Sequence, residues 1–256
     1  MTHPETSPAL LALSMGDPAG IGPEIIVRAA ADLALGGPVV VLGDVAVLRR
    51  AAAHCGLQLP IAQLEAPRAA LAVPPGTLAV WQPPELPPGL AGLPMGRVHA
   101  QAGAAAARCI EAGARLALAG EVAALVTAPI HKEALAAAGI HHPGHTEMLQ
   151  AAAGGAPVRM MLANEELRVV LVTIHVALRR AIEALDFDAV LETIRIAHRA
   201  AAAWGSSSPR IAVAGLNPHA GEGGLFGDAR RCSPSPRRCA ASVRGCGRAA
   251  RPCPRA

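Results

Sequence analysis

Short apolar runs that alternate with longer helical patterns predict an α/β fold built on a mostly parallel sheet. Two further observations point the same way. The runs are apolar throughout rather than alternating, as in strands covered by helices on both faces. Several also end directly in loops that carry glycine, histidine or a carboxylate, the arrangement seen at the carboxyl ends of parallel strands. At 256 residues, with 52% hydrophobic and 16% charged content, the chain is long enough for one large domain or two smaller ones around a sizeable core.

The elements follow in order. Leu11–Ser14 reads as a strand leading into Gly16-Asp17-Pro18-Ala19-Gly20-Ile21-Gly22. Pro23 suits a first helical position and Glu24 suits the positive end of a helix, which predicts a helix over Pro23–Ala34. Val39–Gly43 is the next strand and Val45–Cys55 the next helix. From Leu59 to Met95 the pairs Pro74-Pro75, Pro83-Pro84 and Pro87-Pro88 read as an irregular excursion between two subdomains. Helices are then expected over Ala100–Ala117 and Lys132–Ala138, on either side of a strand at Ala123–Thr127. Gly144 or His145 precedes a further helix through Glu147, Met148 and Leu149. Strands at Val158–Ala163, Val169–Thr173 and Ile211–Ala214 interleave with helices over Ala177–Leu185 and Val190–Trp204. On this reading residues 1–227 form two interwoven subdomains and residues 228–256 a disordered tail.

Composition narrows the function. Eight Arg and one Asp between 228 and 256 carry +7 of a formal net charge of +4, which leaves the first 227 residues at −3. The body is therefore mildly acidic. With two Phe, two Trp and no Tyr it also lacks the aromatic platforms on which nucleic-acid bases stack. No apolar run approaches the ~18 residues that cross a bilayer, and Met1–Pro8 lacks a secretory pattern. Cys55 and Cys109 stand isolated in the body, which fits a reducing compartment. The expectation is a cytoplasmic protein without membrane or nucleic-acid partners.

Four expected strand tips carry chemistry: Asp17 after the first, Pro129-Ile130-His131-Lys132 after Ala123–Thr127, His175 after Val169–Thr173, and Asn217 with His219 after Ile211–Ala214. If those strands are parallel neighbours, the groups face one cleft. Neutral imidazoles such as His175 and His219 suit a divalent metal, but a catalytic zinc takes three protein ligands, so a third must come from elsewhere. His145 and Thr146 offer a ring and a hydroxyl at a helix start, either to an anion or as an ordinary polar cap. Lys132, the single lysine in the chain, either meets a phosphate or carboxylate or sits solvated at its helix start. Neither glycine loop, Gly20-Ile21-Gly22 or Gly221-Glu222-Gly223, matches a nucleotide fingerprint, although either could hold phosphate through backbone N–H groups.

Taken together and in order, several runs resemble the 4-hydroxythreonine-4-phosphate dehydrogenase family of pyridoxal phosphate biosynthesis. They are Ser14 through Glu24, Val126 through Glu133, Gly144-His145-Thr146-Glu147, Met160 through Ala163, Glu165 through Val169, and Gly215 through Gly227. The resemblance covers about residues 8–227, and His131 stands where the family usually has asparagine. It implies an isocitrate/isopropylmalate-dehydrogenase-like fold. It also implies a homodimer with a shared active site, and oxidation then decarboxylation of 4-phosphooxy-L-threonine, a small phosphorylated amino acid, to 3-amino-2-oxopropyl phosphate. The implied cofactors are NAD or NADP and one divalent ion (zinc, magnesium or cobalt) that acidifies the substrate hydroxyl. By the same resemblance His145 and Thr146 contact substrate and His175 and His219 bind the metal. Lys132 and Asp17 are added as catalytic lining. Two rival readings are an inactive remnant or RNA-binding protein using the basic tail, and a metal-independent phosphate acyltransferase of related fold.

The tail departs from the family, which continues for roughly another hundred residues holding a third metal histidine. Here Cys232, Cys239, Cys246 and Cys253 recur every seven residues among Arg and Pro. With codons ending in G or C, starting one base earlier turns TGC into CTG or GTG, and CGN arginine codons into Pro or Ala. The tail then becomes an alanine-rich helix pattern with an apolar residue every seven, as expected of a shifted reading frame.

Overall fold

The computed structural model describes residues 9–33, 35–202, 205–206, 208–217, 219, 222 and 225. The expected tail at 228–256 lies outside them, as do Ala34 and Trp204 at two expected helix ends and Pro218, Gly221 and Gly223 of the second glycine loop. Two units result, Met1–Ala156 and Pro157–Ala256.

The first unit is an α/β domain around a five-stranded sheet. In chain order its elements are β1 (Leu11–Ser14), α1 (Gly22–Ala31), β2 (Val39–Leu42), α2 (Val45–His54), β3 (Ile61–Leu64), β4 (Leu78–Trp81), α3 (Ala100–Leu118), β5 (Ala124–Thr127), α4 (Lys132–Ala137) and α5 (His145–Ala152). The strand order is β3-β4-β2-β1-β5, and every pairing is parallel. β1 lies between β2 and β5, with Ser14 opposite Leu42 on one side and Thr127 on the other. Val40, Val41 and Leu42 are fully buried, as apolar strands covered by helices must be.

Local chemistry explains the helices. Pro23 and Glu24 occupy the first turn of α1. The Asp44 carboxylate caps α2 by accepting from the Val47 N–H at 2.8 Å. The alanine-rich α3 presents Gly103 to α4 and Gly113 to the sheet. A Cβ at Gly103 would run into the Ala134 carbonyl, and one at Gly113 would meet Leu42 and Leu125. Ala107 and Ile110 of α3 then pack with Leu135 of α4 and Met148 of α5 in a cluster of their own, which anchors α4 and α5 to α3.

One expectation is corrected here. The stretch from Leu59 to Met95 is not simply an irregular excursion, because it contributes β3 and β4 to this sheet. Pro74-Pro75 and Pro83-Pro84 sit outside Leu78–Trp81 and punctuate the strand rather than preclude it.

The second unit comprises β6 (Met161–Ala163), β7 (Arg168–Val170), α6 (Leu178–Ala184) and α7 (Phe187–Ala202). β6 and β7 form an antiparallel hairpin with Leu162 opposite Val169. Asn164 makes its turn: Oδ1 accepts from the N–H groups of Glu166 and Leu167 at 3.0 and 2.6 Å. The strands expected at Val158–Ala163 and Val169–Thr173 are thus shorter and antiparallel to each other. The strand expected at Ile211–Ala214 does not form; those residues are irregular. Asp186 caps α7 through the Ala189 N–H at 2.8 Å. Val190, Leu191 and Ile194 make a small core with Val172, Leu185, Phe187 and Ile211 around them. The Arg159 guanidinium donates to Thr193 Oγ1 and Glu192 Oε2 on α7 at 2.8 and 2.7 Å.

Candidate active site

The carboxyl ends of β1 and β5 are parallel neighbours, and the loops that leave them are stitched together. Gly16 takes φ +75°, and a Cβ there would run into the Pro129 carbonyl. Only glycine lets the two loops approach so closely. The Asp17 N–H then donates to that same carbonyl at 3.0 Å. Asp17 itself is buried, and its Oδ1 accepts from the Ala19 N–H at 2.8 Å while the Gly20 N–H returns to the Asp17 carbonyl at 3.0 Å. The carboxylate therefore organises the turn that launches α1.

On the β5 side, His131 precedes α4 and Lys132 opens it, both exposed. α5 begins at His145 after Gly144, and no side chain caps its first turn. Its N–H groups and the positive end of its dipole are thus available to an anion. Thr146 and Glu147 complete that turn, both half-buried. His145 is half-buried, and its Nε2 is enclosed without a hydrogen-bond partner. Burial lowers its pKa below the ordinary histidine value, and a hydrogen bond with the Ala128 backbone pushes the other way. His145 thus meets Ala128, which itself donates from N–H to the Ser14 carbonyl at 3.2 Å. The start of α5, the end of β5 and the end of β1 consequently share one locality.

His175 and His219 belong to the second unit. His175 lies five residues beyond β7 rather than at a strand tip, with φ +53°. His219 is exposed, also with φ +53°, and its Nδ1 lies 3.7 Å from Glu222 Oε2. Such left-handed backbone is uncommon outside glycine, although histidine adopts it more readily than most residues, and Leu33 and Glu222 share it here. Among the described residues no group of three or more His, Cys, Asp or Glu side chains is arranged to hold a metal ion. Two imidazoles fall short of a catalytic metal's protein ligand set, so these residues alone do not fit a complete metal site. Of the four expected strand tips, only those of β1 and β5 share a sheet; β7 ends in another, and Ile211–Ala214 is not a strand. Sequence reasoning missed Arg50, whose guanidinium reaches the Asp17 turn. Its place on α2 is the only sequence signal, and that alone gives no reason to single it out.

Known proteins give this arrangement its context. The family model of pyridoxal phosphate biosynthetic protein PdxA matches residues 35–234. The 4-hydroxythreonine-4-phosphate dehydrogenase of Beijerinckia indica is 50% identical over 219 residues, spanning 85% of this chain and 64% of the relative. A D-threonate 4-phosphate dehydrogenase of Salmonella typhimurium is 44% identical over 220 residues, 85% of this chain and 66% of the relative. A crystal structure of 4-hydroxythreonine-4-phosphate dehydrogenase from Klebsiella pneumoniae superposes with a TM-score of 0.84 at 41% identity, covering 94% of this chain and 72% of that one. The fold is thus that of the α/β dehydrogenases. The chain belongs to the PdxA family, and it spans just under two thirds of the length of the first of these curated relatives. No helix among the described residues is long and apolar enough to cross a membrane.

Proposed function

We propose that the protein acts as an NAD- or NADP-linked dehydrogenase of 4-phosphooxy-L-threonine in pyridoxal phosphate biosynthesis, as a cytoplasmic homodimer with a shared active site. The observation that carries this reading is the 50% identity to the Beijerinckia indica enzyme over 219 residues. The uncapped start of α5 supports it, because a phosphorylated substrate needs an anion site of that kind. His145 and Thr146 contact the substrate there. The neutral His145 ring, its Nε2 enclosed and unpartnered, offers a hydrogen bond rather than a charge. Lys132 adds a cation, and Asp17 holds the facing turn in shape. His175 and His219 serve as two ligands of a divalent ion (zinc, magnesium or cobalt); among the described residues no third ligand joins them. The residues after 227 derive from a shifted reading frame, in keeping with the 85% of the chain that the two curated relatives match.

A second substrate is favoured by the 44% identity to the Salmonella typhimurium enzyme: D-threonate 4-phosphate, which carries a hydroxyl in place of the amino group. Calorimetric titration of the full chain with each compound tests both. Binding of 4-phosphooxy-L-threonine, lost in His145→Ala and accompanied by NAD(P) reduction, is expected. Preference for D-threonate 4-phosphate transfers the assignment to the second substrate. Binding of neither compound sinks the reading.

A further inference from the structure

Arg50 projects from α2, and among the described residues no carboxylate pairs with it. Its Nη1 donates to the Ala91 and Leu93 carbonyls at 2.7 and 3.0 Å, and its Nη2 donates to the Pro18 carbonyl at 2.6 Å. One guanidinium therefore ties three segments: α2, the turn over Leu90–Gly92, and the loop between β1 and α1. The Gly96 N–H adds a direct bond from the second segment to the third, donating to the Ala19 carbonyl at 2.8 Å. Leu90 is fully buried, so that segment is fixed to the core from below. A planar guanidinium fork fixes the directions of its donors toward carbonyls on two sides, whereas a lysine ammonium is a compact charge on a flexible stem that holds such an arrangement less rigidly. Asp17 is pinned from within by Ala19 and Gly20, and from one side by Pro129. Arg50 supplies the opposite anchor.

We propose that Arg50 is the positioning residue of the candidate site: by clamping Pro18 against the 91–93 carbonyls it sets the Asp17–Gly20 turn at the carboxyl end of β1. The functional part of this proposal rests on the reading that substrate binds beside that turn; the clamp itself does not. Amide hydrogen exchange on the full chain decides it. In Arg50→Ala the Gly20 and Gly96 amides exchange about ten-fold faster or more, the effect of losing a charge-assisted hydrogen bond. Ala123, which donates to Leu10 across the sheet, stays within about two-fold, as a site with no shared partner does. Arg50→Lys restores protection only in part, and guanidinium chloride at low concentration restores it in Arg50→Ala where sodium chloride does not. Uniform acceleration across the first unit, or none at Gly20 and Gly96, overturns the proposal. Titration with 4-phosphooxy-L-threonine separates the two readings. Weaker binding in Arg50→Ala, below the melting range of either protein, supports the functional part, and unchanged binding removes it. Failure of the wild-type chain to bind counts against the site reading, while the exchange pattern still settles the clamp.

Discussion

The first unit closes a continuous core from Leu10 to Ala128 around a parallel sheet, whereas the second, among the described residues, gathers three buried apolar side chains on α7, Val190, Leu191 and Ile194. The contrast extends to the strands. β2 is flanked by β1 and β4 and sealed by helices, while β6 and β7, among the described residues, pair only with each other. Leu162 and Val169, opposite each other on that hairpin, are 59% and 41% exposed, and Leu167 beside them is 63% exposed. A two-stranded hairpin with an uncovered apolar pair is marginal on its own. In the described residues, then, the anion-binding elements proposed here rest on a finished scaffold, and the two candidate metal histidines rest on a much thinner one.

The largest expected effect tests that difference directly. Leu42 is fully buried under the α3 backbone at Gly113, so little can collapse into the space it leaves. Leu42→Ala should cost toward the upper end of about 2–5 kcal/mol, and Leu191→Ala toward the lower end, because its cluster is small enough to close up. Chemical denaturation of both variants checks the order, and equal losses break the comparison. Next is the cap of α2. Asp44→Ala should cost about 1 kcal/mol by the same measurement, since the Val47 N–H loses its acceptor near the end of a buried strand. Smallest is a pH effect. His145 holds a lowered pKa in the fold, so below its ordinary value of about 6.5 the unfolded chain takes up a proton that the folded chain resists. Stability is complete above that pH and declines as pH falls toward the folded-state pKa. His145→Gln should flatten this slope in melts between pH 5 and 7.5; an unchanged slope assigns it to another group.

Much of the first unit was legible from apolar runs and their punctuation. β1, β2, β5 and all five helices there stand close to where periodicity, Pro23 and the Ala-rich stretch put them. β3 and β4 were not, because four-residue strands set among paired prolines give a turn signal stronger than their own. The hairpin had a signal in Asn164, whose side chain favours such a turn, but two apolar runs alone do not reveal that they pair antiparallel. Ile211–Ala214 shows the converse: an apolar run suits a strand, but among the described residues no strand pairs with it and it is irregular. The start of α5 was readable because Pro143-Gly144 breaks the chain just before His145. Arg50 was hidden for a different reason: three carbonyl acceptors leave no residue-type signature, and their meeting is a product of the tertiary fold.

Cys109 shows what the finished scaffold does to reactivity. Burial pushes its thiol up to about 12, with the Asp44 charge adding to that and a hydrogen bond from the Met15 backbone opposing it. At neutral pH such a sulfur holds almost no thiolate, so while the sheet is intact it is closed to oxidants, alkylating agents and soft metals alike. Any covalent mark found on it would therefore be a memory of the domain having come open.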